Sequence, residues 1–570
     1  MSLVKFLVMA GVLTMGLGSM WFGLHRPILG DDVAAYQWIV RSMLYWKEVP
    51  LEWRDSWSGF IHPPLYWHVL GGWMACWGDS VAAMRALGAV GWLVTIGLIA
   101  AFFKFVSPTP FPRRSGLIAC VIYAVSPYAI QGALHPDIDT VMLPAAMMMF
   151  IVFDAASEDR WNERLIKIGA GIILGFIAWV KLQGWLVLVL GLWLRWGWER
   201  WRGGKTTCPA WTLGLITAIG AGVFMVTWFG YGLVYGRPFD TPFVKLWSAF
   251  MRMQPQSETA DRAWYLAQNG AGLLVWLSFP LTAWGAWAWW KWWRGDIDRR
   301  FTLAAILMGL MTFGYLNVGG LSNGFPRYHY PMFAMWCIMA AAGSEALWKE
   351  PWSRWCAMVT AAAFIAGTGL WWAGDIIDLV VFRIRAGVTL EGLSFWNSAR
   401  PVMIRVGVVG VMSALAVGAV KAVLSRSIGS PASWAAGFMA AWLGWSVVMN
   451  VHQARAEYAT TTCYGMRGTA ELIRTMNDLG VPQDRVLVTD DLLYLMNYPR
   501  KRYDQRRGVW DTPEHLAVAL LEAEALVYSS WLHGVKDYRR IFRHPRVQET
   551  LDRLFEGRRV GSYLVWIRKT

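Results

Sequence analysis

Two adjacent carboxylates, Asp31 and Asp32, follow directly on the first apolar run of this chain. Each charge raises the proton affinity of the other, which moves one carboxylate toward the range where it can take a proton from a hydroxyl. A polar turn or a helix N-terminus capped by Asp reads equally well from the two residues alone. A second acidic pair lies in His135-Pro136-Asp137-Ile138-Asp139, where Asp139 either opens a helix or offers a hydrogen bond to a hydroxyl. His62 stands in Phe60-Ile61-His62-Pro63-Pro64-Leu65-Tyr66-Trp67 and carries a partial charge near neutral pH. Lys181 is the lone lysine of the apolar run 168–194, so it is either a functional cation or a side chain snorkelling to an interface. Arg252 lies in the polar stretch 235–267, and Arg327, Tyr328 and His329 cluster just before Pro331; Arg327 and His329 would add positive charge there.

These residues need a scaffold, and composition names its class. Of 570 residues, 56% are hydrophobic, 16% are charged and 40 are Trp. Ordinary soluble domains could not bury that much apolar surface. The charges fall between apolar runs of roughly 18–22 residues, the length that crosses a bilayer. The chain therefore reads as a polytopic α-helical membrane protein, with spans expected at 4–24, 82–105, 116–134, 139–155, 165–179, 182–196, 211–234, 268–292, 302–320, 331–348, 355–374, 401–422 and 432–451. That makes about thirteen transmembrane helices by the length rule. The run 165–196 reads either as one bent helix or as two helices divided at Lys181-Leu182-Gln183-Gly184, which supports the break.

Short basic loops alternate with longer, mixed ones, which predicts a cytoplasmic N-terminus and places 25–81, 235–267, 321–330, 375–400 and the tail outside. The net charge of +15 then reflects loop basicity rather than nucleic-acid binding. Residues 1–24 end in no small-residue cleavage pattern and read as a retained first helix. Residues 33–46, with Trp38, Tyr45 and Trp46 at helical spacing, predict a juxtamembrane helix on the external surface, with a core-packing stripe as the alternative. Six scattered cysteines have neither disulfide nor metal spacing. From 452 onward polarity rises, with helices expected at 466–479 and 513–523 and strands at 485–489, 525–528 and 563–567. The expected division is a transmembrane module, 1–451, and an external, soluble α/β domain, 452–570.

The order of the motifs resembles the GT-C integral-membrane glycosyltransferases that use polyprenyl-phosphate sugars, in the branch holding protein O-mannosyltransferases and lipid A aminoarabinose transferases. The resemblance rests on Asp31-Asp32, on the His62-Pro63-Pro64 segment running through Trp77-Gly78 to Arg85, on Asp139, on Lys181, on Arg252 twelve residues before Trp264, and on Tyr328 ahead of Pro331. Relatives often carry Lys where this chain has His62. The resemblance implies a GT-C fold and transfer of a sugar from an undecaprenyl-phosphate-type donor to an envelope acceptor, which can be lipid A or lipopolysaccharide, another glycan or a protein. It implies inversion at the sugar, with Asp31 as general base, Asp32 and Asp139 in support, and the donor phosphate held by His62, Arg252, Tyr328, Arg327 and Lys181. The implied location is the bacterial inner membrane, with chemistry at its outer face among membrane lipids. No cofactor is required; a divalent metal near the three Asp residues is compatible, yet no spacing demands one. The competing readings are a transporter or lipid flippase without transferase activity and a binding subunit with a degenerate site. Against the transporter stand the absence of an internal repeat and the gathering of ionisable groups at one interface.

Overall fold

The computed structural model describes residues 3–24, 39–41, 43–45, 64–105, 112–135, 138–156, 163–203, 206, 208–235, 266, 269–270, 273, 276–318, 321–322, 325–326, 329–347, 442, 446, 450, 469–482, 485–488, 512–529, 540–560 and 563–569. In this range the chain is mainly helical: α1 (Leu3–Leu24), α2 (Leu65–Trp77), α3 (Val81–Phe105), α4 (Pro112–Val125), α5 (Pro127–Leu134), α6 (Asp139–Ala156), α7 (Glu163–Val180), α8 (Leu182–Trp201), α9 (Ala210–Tyr235), α10 (Phe279–Arg294), α11 (Thr302–Val318) and α12 (Phe333–Leu347). Among the described residues α3 and the 210–230 part of α9 are individually long and apolar enough to cross a membrane, and a third span results if the bent pair α4 and α5 is counted as one. The expected spans 355–374 and 401–422 lie outside the described residues, as does nearly all of 432–451.

Three breaks shape the bundle, and each has a local cause. The expected span 116–134 bends by 55° between α4 and α5. Pro127 starts the second piece, Ser126 caps it by accepting from the Tyr128 amide, and the Val125 carbonyl accepts from Asn450 Nδ2 at 2.7 Å. The run 268–292 is likewise not one continuous helix. Ser278 adopts φ 66, its hydroxyl oxygen accepts from the Leu281 amide, and Pro280 follows at the start of α10. Trp442 Nε1 donates to the same oxygen at 3.2 Å. The third break was legible from the sequence: Lys181, extended at φ −157, separates α7 from α8.

Small residues set the closest crossings. Gly171 and Gly175 of α7 meet Ile219, Val223 and the Gly220 carbonyl of α9, so the two helices approach backbone to backbone. At Gly88 of α3 an added methyl would collide with the Ala133 carbonyl of α5. Inside α6, Pro144 cannot donate to the Thr140 carbonyl, and Gly91 of α3 lies against that oxygen. Close-packed glycine contacts thereby hold the start of α6 and the end of α5 against α3.

The tail carries helices α13 (Thr469–Asp478), α14 (Pro513–Glu522) and α15 (Pro545–Leu554) and strands β3 (Val486–Val488), β4 (Ala525–Ser529), β5 (Phe555–Val560) and β6 (Tyr563–Arg568); a two-residue ladder, β1 (Leu321–Ser322) with β2 (Phe325–Pro326), precedes α12. The tail strands form one sheet in the order β3-β4-β6-β5, with β3 parallel to β4 and the other pairs antiparallel. Period-two alternation sorts their side chains. Ala525, Val527, Tyr563 and Val565 share one apolar cluster with Leu472 and Met476 of α13. Leu526, Tyr528, Leu564 and Trp566 face the other way, onto α14 and α15. The expected strands at 485–489, 525–528 and 563–567 match β3, β4 and β6. Helix α15 and strand β5 were missed, because the charges of Arg546, Glu549, Asp552, Arg553, Arg558 and Arg559 mask their apolar positions.

Candidate active site

Several helix ends converge at the end of the bundle that carries Lys181. Lys181 sits at the α7/α8 break, its amide donating to the Ile177 carbonyl at 2.8 Å, and Asp139 opens α6. The break turns the lysine inward, and its Nζ reaches Asp139 Oδ1 at 2.6 Å. Both side chains are buried, 6% and 3% exposed. Sequence reasoning picked both residues for separate tasks; the tertiary structure makes them one ion pair. A pair this dry is held together strongly and punishes the loss of either member.

Two tyrosines lie near the pair, and a histidine is linked to one of them. Tyr128 and Tyr330 lie within electrostatic reach of Asp139. The Tyr330 hydroxyl donates to the Ala129 carbonyl at 3.4 Å, and its ring packs edge-on to Tyr128 at 5.4 Å. Gly132 of α5 makes room for the Tyr330 ring. His329, just before the short helix Tyr330–Met332, is completely buried.

Its hydrogen bonds determine its protonation. Trp336 Nε1 donates to His329 Nε2 at 3.1 Å, so Nε2 is unprotonated and the proton sits on Nδ1, 3.3 Å from the Tyr128 oxygen. Burial pushes the imidazole down to about 3. The expectation that His329 adds positive charge is therefore corrected: it is a neutral structural link. Because its folded value lies below the ordinary 6.5, this link contributes stability above pH 6.5 that is lost as pH falls toward 3. A His329→Gln protein is expected to lose less stability than wild type between pH 7 and 5.5, by up to about 1.4 kcal/mol. Parallel acid-induced melting curves in detergent check this; identical curves would contradict it.

Two arginines brace the same end. Arg85, the arginine closing the His62 motif segment, donates from Nε to the Leu134 carbonyl at 3.0 Å and from a terminal nitrogen to the Gly23 carbonyl at 2.7 Å. It thereby satisfies carbonyls left over at the ends of α5 and α1. Arg41 is fully buried and bonds Asp79 at 2.9 Å, tying residues 39–45 to the turn between α2 and α3. Residues 39–41 and 43–45 are helical, within the expected juxtamembrane helix 33–46. Sequence reasoning passed over this pair. Its signal was an arginine inside an otherwise apolar amphipathic stretch, which needs a partner when buried.

Of the remaining candidates, Asp31, Asp32, His62, Arg252, Arg327 and Tyr328 lie outside the described residues, as does Asp137. Among their described neighbours in sequence, Leu65 follows His62 by three residues and borders this end. Leu65 packs with Ala178 and Leu182, on either side of Lys181. Among the described residues no group of three or more His, Cys, Asp or Glu side chains is placed to hold a metal.

The whole chain superposes on solved structures. The ArnT of Cupriavidus metallidurans bound to undecaprenyl phosphate matches with a TM-score of 0.60 and 16% identity over 99% of this chain and 98% of that one. This chain has the GT-C fold. The apo form of the same ArnT matches with a TM-score of 0.56, again at 16% identity over 99% and 98% of the two chains. No protein-family model and no curated protein sequence matches the chain. The GT-C architecture thus persists here with little sequence in common. What it positions at the Lys181 end is a buried ion pair, a neutral histidine and two bracing arginines.

Proposed function

We propose that this chain is a glycosyltransferase that takes a sugar from a polyprenyl phosphate and passes it to an envelope acceptor at the outer face of the inner membrane. The observation that carries the proposal is the full-length likeness to a structure holding undecaprenyl phosphate. In support, the Asp139–Lys181 pair joins the first residue of α6 to the residue between α7 and α8. His62 stands three residues before Leu65, Tyr328 adjoins His329, and Asp31 follows Leu24 by seven residues.

In the proposed reaction the Asp31 carboxylate takes the proton of an acceptor hydroxyl. The acceptor oxygen forms a bond to the anomeric carbon from one face while the bond to the phosphate oxygen breaks on the other, so the configuration inverts. The electron pair leaves with the polyprenyl phosphate. His62, Arg252, Tyr328 and Arg327 stabilise the charge that gathers on that phosphate, and Asp32 raises the basicity of its neighbour. The proposal includes about thirteen spans, an external tail domain from 452 to 570 and a cytoplasmic N-terminus. A lipid A-type acceptor fits best with the length and external tail.

Donor binding tests the phosphate cradle apart from the chemistry. Arg252→Ala is expected to weaken binding of undecaprenyl phosphate by about tenfold or more, since a bidentate guanidinium–phosphate contact is a charge-assisted one. Microscale titration of the purified protein reads this, and an unchanged dissociation constant would remove Arg252 from the cradle. Transfer from a radiolabelled polyprenyl-phosphate sugar, present in wild type, separates the proposal from a transporter.

A further inference from the structure

The far end of α8 carries a feature the transfer reaction does not use. Counting the helical rise from Lys181, Trp198 lies about 25 Å away, near the opposite membrane surface. There Trp193, Trp198, Trp289, Trp292 and Trp293 line a cavity of about 460 Å³ between α8, α10 and α11. Its walls are built rather than loosely arrayed. Trp289 Nε1 donates to the Ala305 carbonyl at 3.1 Å, Trp292 Nε1 donates to the Thr302 hydroxyl at 3.2 Å, and Trp198 stacks on Trp292 at 4.7 Å. Gly197 and Gly309 also line it, with open space where a Cβ would stand at Gly197 and the Trp289 ring beside Gly309. The volume falls within the range of small-molecule pockets, and the lining is almost wholly apolar.

Arg202 and Arg294 directly follow the lining residues Trp201 and Trp293 in the chain. Arg200, Arg202, Arg294 and Arg299 are exposed. Arg202 lies over Trp198 at 4.8 Å and donates to the Trp293 carbonyl; Arg294 lies over Trp290 at 5.0 Å. The nearby acids are engaged: Glu199 with Arg195 at 2.9 Å, Asp296 with Lys291 at 3.3 Å, Asp298 with Arg300 at 3.8 Å. Net positive charge over an apolar slot at interfacial depth complements an anionic headgroup above an acyl chain.

We propose that this groove is a binding site for an anionic phospholipid of the basic-loop leaflet, with the acyl chain between α8 and α11 and the phosphate on Arg202 and Arg294. The site is separate from the transfer site and does not depend on the transfer reading.

The test is native mass spectrometry of the delipidated full chain in detergent, titrated with phosphatidylglycerol or phosphatidylcholine. Wild type is expected to retain phosphatidylglycerol with about tenfold preference. The Arg202→Gln/Arg294→Gln protein should lose that preference while holding phosphatidylcholine as before, and Gly309→Leu, which adds a side chain to the lining, should weaken both lipids. Both arginines are exposed, and an unchanged preference in the double variant would overturn the proposal. Equal binding of the two lipids by wild type would do the same. So would displacement of phosphatidylglycerol by undecaprenyl phosphate at a tenth of its concentration, or a polypeptide found seated on the groove.

Discussion

Lys181→Met is expected to destabilise the protein by about 3–5 kcal/mol, the range for stranding one member of a buried ion pair. The physical basis is the 2.6 Å contact between Lys181 Nζ and Asp139 Oδ1, with both side chains almost wholly shielded from water. Without the lysine, Asp139 either carries an uncompensated charge in a low-dielectric site or takes up a proton to avoid it. The Asp139→Asn/Lys181→Met double change removes both charges and is expected to cost less than half as much as Lys181→Met alone. Thermal denaturation in detergent, followed by loss of the monodisperse peak, measures wild type, Lys181→Met, Asp139→Asn and the double variant. If the two single effects simply add in the double variant, the residues do not act as a pair. Transfer assayed in the same proteins separates architecture from chemistry: a stable but inactive double variant would assign the pair a part in the reaction beyond bracing α6 against the α7/α8 break.

Asp31→Asn is expected to lower sugar transfer by about 100- to 10,000-fold, the usual loss when a positioned base is removed. Asparagine keeps the size and much of the hydrogen bonding of aspartate but cannot accept the acceptor's proton. Donor affinity should stay within about twofold, because the base acts on the acceptor and not on the phosphate. Asp32→Asn should cost less, since it removes only a neighbouring charge that supports the base. A single-turnover assay with preformed donor complex reads the chemical step directly. Transfer at the wild-type rate in Asp31→Asn would end the assignment and shift attention to Asp139.

Much of the helical framework was legible because apolar run length and loop basicity report on the bilayer rather than on distant contacts. The observed bounds of α1, α3, α6, α7, α8, α9 and α11 lie close to those runs. Lys181 announced a break because a charge within an apolar run must find a partner or leave the membrane. The breaks at Ser126 and Ser278 were not foreseen, although Pro127 and Pro280 stood beside them. Proline alone can kink a membrane helix without ending it, and what completed each break was a capping hydroxyl together with a contact from Asn450 or Trp442.

Residue types and spacing, by themselves, determined the class of this protein, most of its helices and the acidic and basic groups worth testing. Such properties follow from solvation and helical period, which act locally along the chain. Only the tertiary structure decided that Asp139 and Lys181 neutralise each other, that His329 is an uncharged link between Tyr128 and Trp336, and that Arg85 serves as a tie between helix ends. Charge state and partnership depend on burial and on groups 42 or 201 positions away, and one sequence read in order carries no direct record of either.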